Sequence, residues 1–387
     1  MPSDEFFKKK IAALLHDPPS KPWIITSKLK LGSNHEKEAK ELAEAIFDFE
    51  KDIVAVLEDD EVKAADIFAS SFDRWVLSTL LGGDYQRGAY LTREVKLYNI
   101  FYRDRPYEVD LHQPQDEEYK QQLEKFEDEL GSTLKTVFEK APVKDRWRLV
   151  YNVFYAAYEY LWCKHFGTPG PADTRMPTHT VFDHTYATAT TLNIIGGKRA
   201  HGFMVSVDLG GVQSYISASR KLRDLWASSW LTSALAWSIA APFIENFGPD
   251  ILILPTARGN PFYYHTLASI LNRKLDPNSA DAIKKTIEDV AKSAGYYFDR
   301  GYPEFAVVPA TFTFILPSTI SKPQETKLQV DGEELELSSG ESIIDCIERL
   351  YHKKWRMLVE RVLETLTQNE KLGFLGEVFR DLAVYDT

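Results

Sequence analysis

Nine histidines occur in the chain, and several stand beside carboxylates. His16 is followed by Asp17 in "LLHDPPSKPW" (14–23), with Lys21 a few positions on. His35 opens "NHEKEAKELAEAIFDFEKDIVAVL". Asp66 and Asp73 stand together in "EVKAADIFASSFDRWVLSTLL", and His184 follows Asp183 in "TVFDHTYATATTLNII". Imidazole nitrogens and carboxylate oxygens together suit divalent transition metals such as manganese, nickel, cobalt, iron or zinc. A cation held this way lowers the pKa of bound water and polarises a phosphoryl oxygen, which is the chemistry of phosphodiester hydrolysis. Each pair alone is ordinary: a His-Asp dipeptide often makes a helix-end hydrogen bond, and Asp73-Arg74 an ion pair. The weight lies in four separate helical segments each presenting a His or an Asp.

Those segments can hold the side chains only if they are helices. Phe7, Ile11, Leu14 and Leu15 repeat at helical spacing. The residue before a proline is pushed out of the α region, so this helix stops at Asp17. A second helix is expected over 34–57 with Asn34 as N-cap, and a third over 61–81, on which Asp66 and Asp73 share a face. Residues 115–140 read as a charged, solvated helix, 145–165 as an aromatic helix, 167–177 as loop and 180–195 as helix. To this point the reading is nearly all helix. At Gly196-Gly197 the texture changes. Residues 202–211 read as a buried strand closed by glycines and followed by a long helix to about Ala241. Strands are expected at 250–255 and 305–317 with a helix near 280–295 between them, a hairpin over 326–337 turning at Asp331-Gly332, and two helices over 341–383. The fold class is α+β and multidomain, with an all-helical domain over 1–198 and an α+β domain over 199–387.

With 387 residues, two domains are the default. No run of 18 or more apolar residues is present, so no membrane span is expected. The start, "MPSDEFFKKKIAALL", lacks the pattern of a secretory signal. Cys163 and Cys346 are the only cysteines, which argues against a disulfide framework or a cysteine zinc site and for a reducing, cytoplasmic setting. The net charge of −11 disfavours a protein that holds long nucleic acid by its own surface. Nucleic acid would need a local groove, or companion subunits that supply the positive field.

"VSVDLGGVQSYISASRKLRDLWASSWLTSALAW" (205–237) is the most specific stretch. A strand ends at Asp208, Gly210 and Gly211 allow a tight turn, and Ser219, Arg220, Lys221 and Arg223 provide an anion-attracting patch. It is not a P-loop, since the spacing and the Lys-Ser/Thr ending are absent. The plain alternative is a strand-turn-helix that needs small residues for packing.

"LLHDPPSKPW", "NHEKEA", "AADIFASSFDR" and "PADTRMPTHTVFDHT" resemble, in order, motifs of the HD-type nuclease domain in the large subunit of Cmr-type (type III-B) CRISPR effector complexes. "GGVQ", "SRKLRDLWASS" and "ARGNPF" (257–262) resemble the first palm-like, ferredoxin-type domain of the same subunit. The resemblance implies a circularly permuted HD domain in which His16 and Asp17 are the dyad, His35 an intermediate histidine, Asp66 the distant aspartate and His184 the histidine that comes first in the standard order. Asp73 stays an alternative to Asp66. Lys21 would meet a phosphate oxygen, and Asp173 and Arg175 would order the loop before His184. A manganese, nickel or cobalt ion is implied at this site, and ATP at the palm near Gly210, Gly211, Ser219 and Arg220. In the family two palms face each other and polymerise ATP into cyclic oligoadenylates, and the second carries a Gly-Gly-Asp-Asp turn. Here only "LGGDYQRG" (81–88) occurs, inside the helical part. The chain therefore reads as an amino-terminal half, not expected to make cyclic oligoadenylates alone. The implied activity is metal-dependent cleavage of single-stranded DNA within an RNA-guided complex, with guide RNA, target RNA and sister subunits as partners. Two alternatives stand beside it: a non-catalytic scaffold with a degenerate HD fold, and an HD phosphohydrolase acting on small nucleotides.

Overall fold

The computed structural model describes residues 2–27, 35–71, 94–99, 102–110, 117–173, 178–197, 199–321, 327–330, 333–336 and 342–369, with the single positions 75, 79, 371, 373, 375 and 378. Asn34, Asp73, Arg175, the "LGGDYQRG" string and Asp331-Gly332 lie outside the described residues.

The first part begins with α1 (Asp4–Leu15), α2 (Lys21–Ser27), α3 (His35–Ile46), α4 (Asp52–Val56) and α5 (Asp60–Ala69). Ser3 caps α1 by accepting the Phe6 N–H at 3.3 Å. Phe7, Ile11, Leu14 and Leu15 are buried, as their spacing requires. The single helix expected over 34–57 is instead α3 and α4 with a turn between them. Phe47 and Phe49 explain the break. Residues two apart point to different sides of a helix, yet these rings lie 5.6 Å apart and both pack inward, Phe47 on Phe154 and Phe49 on Phe138. A turn lets both reach the core.

The expectation of an all-helical first part is also corrected. β1 (Glu94–Asn99) and β2 (Tyr102–Asp110) form an antiparallel hairpin in which Val95 pairs with Val109 and Leu97 with Tyr107. These are residue types that favour a pleated pair, and Lys96 meets its cross-strand partner Glu108 at 2.8 Å. Three further helices follow among the described residues of this part: Glu117–Lys140, Arg146–Phe166 and Val181–Leu192. The first is charged on one face, while Phe126, Leu130, Leu134 and Val137 bury the other. Arg146–Phe166 is enclosed along most of its length, with Tyr151, Phe154, Tyr158 and Trp162 fully buried.

β3 (Ile195–Gly196) pairs with β4 (Arg199–Ala200) across the boundary, and the second part holds β5 (Gly202–Asp208), β6 (Leu252–Leu254) and β7 (Thr311–Pro317). β5, β7 and β6 form an antiparallel sheet in that order, with Val205 opposite Phe314. The long helix expected after the glycine turn is two helices, Val212–Ser217 and Leu222–Phe247, parted at Ser219-Arg220. Where one helix near 280–295 was expected there are two, Pro277–Thr286 and Glu288–Ala294, and Pro261–Lys274 precedes them. Pro261 and Pro277 each open a helix at its first turn, where a missing N–H costs nothing. β8 (Lys327–Val330) and β9 (Glu333–Glu336) pair as the hairpin expected, and Ile343–Gln368 is the first of the two helices expected over 341–383, most of the second lying outside the described residues.

One buried apolar cluster runs from Leu14 through Phe154 to Phe243 and Phe314, so the core is continuous across residue 198. A buried polar knot lies in it. Lys10 donates to the Asp250 carboxylate at 2.8–2.9 Å and to the Phe247 carbonyl. Tyr151 and Asn193 donate to the same carboxylate at 2.7 and 2.8 Å. Burial pulls the Lys10 ammonium down to about 8 against the opposing charge of Asp250. This knot fixes α1, and with it His16, against the sheet-bearing part.

Candidate metal centre

α1 delivers His16 and Asp17 at its carboxyl end, and Pro18-Pro19 stop the helix from continuing. α1 packs on α5, which carries Asp66, and on the Val181–Leu192 helix, which carries His184 in its first turn. The α5 helix is tied to that third helix where Thr191 donates to the Ala65 carbonyl at 3.2 Å. The Val181–Leu192 helix is fixed by a capping box: Thr180 accepts the Asp183 N–H at 3.1 Å while Asp183 accepts the Thr180 N–H at 2.8 Å.

Ligand atoms of His16, Asp66 and His184 lie within 4.8 Å of one another. His184 Nε2 is 3.0 Å from Asp66 Oδ1 and 3.4 Å from Asp17 Oδ2. His16 Nε2 is 3.6 Å from Asp66 Oδ1 and 3.7 Å from Asp17 Oδ2. His35 Nε2 approaches the other Asp17 oxygen at 3.6 Å. These side chains, with Lys21, line one cleft of about 370 Å³.

The donor set fits a cation. His16 Nδ1 donates to the Ala13 carbonyl at 2.7 Å, which leaves its Nε2 lone pair facing the cleft. That Nε2 is buried without a hydrogen-bond partner. An orphaned buried acceptor is costly unless something fills the position. Two imidazoles with a carboxylate make a nitrogen-oxygen set of the kind that first-row divalent ions take.

Two carboxylates dominate the charges of the cleft. Burial opposes ionisation of Asp17, yet Lys21, His16 and His184 outweigh it and hold the carboxyl well below the usual range. Burial likewise opposes ionisation of Asp66, and the two imidazoles beside it, His16 and His184, outweigh burial and depress it strongly. His16 is raised: burial lowers it, but Asp17 and Asp66 win. His35 is lowered, by burial first. Lys21 bonds Asp17 one turn away, so its ammonium is engaged by the dyad.

His16, Asp17, Lys21, His35, Asp66 and His184 are thus brought together, while Asp73 lies outside the described residues. Gly210, Gly211, Ser219 and Arg220 are not part of this cleft. Gly211 adopts φ +75° where the chain leaves β5, Ser219 sits 3.2 Å from Ser228, and Arg220 is exposed. Asp183 turns away from the cleft to serve its cap and Arg258, which donates to it at 2.6 Å.

One histidine of the cleft escaped the sequence reading. His179 lines it with its ring 6.3 Å from that of His184. Its position just before the Thr180 cap was the available signal.

Residues 204–360 match the family described as CRISPR-associated protein Cmr2, N-terminal. The CRISPR system CMR subunit Cmr2 of Saccharolobus solfataricus is 33% identical over 372 residues, covering 92% of this chain and 33% of that protein. The Cmr2 subunit of Pyrococcus furiosus is 26% identical over 303 residues, covering 66% of this chain and 32% of that protein. A chain of the type III-B Cmr-beta cryo-EM structure in its apo state matches with TM-score 0.67 and 30% identity, over 96% of this chain and 35% of that one. A chain of the Cmr-beta structure bound to cognate target RNA matches with TM-score 0.66 and 29% identity, over 98% of this chain and 34% of that one. The chain spans about a third of the length of the curated relatives it matches. From the cleft at one end of the sequence to the glycine turn and beyond, the likeness runs through both parts, and the chain belongs to the Cmr2 family, the large subunits of type III-B CRISPR systems.

Proposed function

We propose that this chain is a metal-dependent phosphodiesterase that cleaves single-stranded DNA, acting as part of an RNA-guided type III-B effector complex. The observation that carries the reading is the buried, unpartnered Nε2 of His16 facing Asp66 and His184. His16, Asp66 and His184 would hold a manganese, nickel or cobalt ion, with Asp17 and His35 at its margin. Such an ion supplies Lewis acidity toward a phosphoryl oxygen and an acidified water. Asp17, kept ionised by the Lys21 ammonium beside it, orients both histidines. Lys21 offsets the charge of a phosphate entering beside Asp17, exchanging one anionic partner for another.

Guide RNA, target RNA and sister subunits are proposed as partners, since one similar chain was solved with cognate target RNA. A net charge of −11 fits a protein whose polynucleotide is held mainly by companions. Met204, Leu222 and Leu254 are 74%, 82% and 63% exposed, which supports subunit docking on the second part. Gly210, Gly211, Ser219 and Arg220 are proposed to contact ATP there. A change of role near residue 198, from an HD-type unit to a palm-like one, completes the reading.

The test is incubation of the chain with labelled single-stranded DNA and manganese, nickel or cobalt, beside His16→Ala/Asp17→Ala. Cleavage confined to the wild type is expected. Equal cleavage by both proteins would refute the assignment, and turnover of small nucleotides without DNA cleavage would replace the substrate.

A further inference from the structure

Arg258 lies in the loop between β6 and the Pro261–Lys274 helix, far along the chain from every residue of the cleft. Its guanidinium nevertheless makes a fork. Nε and Nη2 donate to the two Glu159 oxygens at 3.0 and 2.7 Å. Nη1 donates to Asp183 Oδ1 at 2.6 Å. The plane also lies over the Tyr186 ring, with its centre 4.5 Å from the ring centroid. One side chain thereby joins three elements: its own loop, the Arg146–Phe166 helix through Glu159, and the first turn of the Val181–Leu192 helix through Asp183.

Asp183 divides its two oxygens. Oδ2 takes the Thr180 N–H and hydroxyl, each at 2.8 Å, and so closes the capping box. Oδ1 is left for Arg258. The next residue is His184, whose Nε2 reaches Asp66 at 3.0 Å. A carboxylate that caps a helix is a lever on that helix's first turn. Fixed bidentate geometry is what distinguishes an arginine from a lysine in such a place.

We infer that Arg258 is a positioning residue for the metal centre: by clamping Asp183 against Glu159 it sets where His184 points. This rests on the proposed metal reading for its meaning in catalysis, but the position of His184 can be read without any metal. Removing the guanidinium leaves Asp183 Oδ1 and Glu159 without a cation, and frees the capped turn to rotate His184 away from Asp66.

The test uses the full chain labelled at histidine Cε1 and stripped of metal, with His184 assigned through His184→Gln and His352 as the distant control. In Arg258→Gln the His184 signal is expected to move while His352 stays in place. Arg258→Lys, which keeps one ion pair, should give a smaller displacement in the same direction. Cobalt binding to Arg258→Gln, followed by visible absorption, should weaken by about tenfold, as for loss of an outer partner of a metal ligand. An unmoved His184 signal in folded Arg258→Gln overturns the inference. Should that variant fail to fold, an unmoved signal in Arg258→Lys does the same. Displaced His184 signals in a protein that takes no cobalt even as wild type would uphold the positioning role and remove the metal reading instead.

Discussion

His16 has its chemistry set by a backbone carbonyl. The Ala13 carbonyl can only accept, so Nδ1 carries the proton and Nε2 is left as a bare lone pair toward the cleft. Truncation of this ring or neutralisation of Asp66 removes a ligand outright. His16→Ala and Asp66→Asn are each expected to lower single-strand cleavage by at least about a hundredfold, beyond the range for outer partners, with folding intact by circular dichroism. Lys21→Met has a different signature. It keeps the donor set but removes the cation beside Asp17, so cobalt is retained while cleavage falls. Loss of cobalt in Lys21→Met would assign Lys21 to the integrity of the site. The convergence of His16, Asp17, Asp66 and His184 was approachable from sequence because four separate helical segments each present a His or an Asp. Each pair alone is ordinary, and Asp66 was singled out, with Asp73 as alternative, only through the family resemblance. The contribution of Arg258 was not legible, since its bond to Asp183 spans 75 positions and nothing local requires it.

At the scale of elements, apolar spacing gave α1, Arg146–Phe166 and Val181–Leu192 nearly to their ends. It failed where tertiary packing overruled propensity. The 47–49 turn exists so that two phenylalanines can share a core, which no window of helix formers reveals. The glycine turn follows β5 where it is expected, but β5 itself, expected to be buried, is largely exposed, and the two glycines differ in need. Gly211 holds φ +75°, whereas a Cβ on Gly210 would meet nothing within 4 Å. Gly211→Ala should therefore cost about 1 kcal/mol, and Gly210→Ala should be close to neutral in urea unfolding. The charged helix Glu117–Lys140 offers a pH test. Burial, then the charges of Asp128 and Glu124, push Glu127 up to about 7. A carboxyl raised in the folded state costs stability once ionised, so its penalty is absent below the ordinary range near 4.5 and grows as pH rises toward 7. Glu127→Gln should match the wild type at pH 4 and exceed it in thermal stability at pH 8. A gain that shrinks with rising pH would contradict the sign.

Across the whole molecule, the change of texture near residue 198 was visible in the sequence, but the continuity of the core across it was not. The Lys10–Asp250 knot links positions 240 apart, and a lysine in an amphipathic helix is ordinarily placed in solvent. Lys10→Met leaves Asp250 buried without its cation and should cost about 3–5 kcal/mol in chemical unfolding. A loss under about 1 kcal/mol would mean that Tyr151 and Asn193 suffice for that carboxylate. No helix among the described residues is long and apolar enough to cross a membrane. The same knot and core orient three helices so that their ends converge on one cleft, and that convergence is what the account depends on. It is tested most directly by metal analysis of the purified chain after dialysis against cobalt and then against metal-free buffer, beside His16→Ala and Asp66→Asn. The wild type is expected to retain cobalt in proportion to protein, and both variants to lose it. Equal cobalt in all three, or none in the wild type, would contradict it.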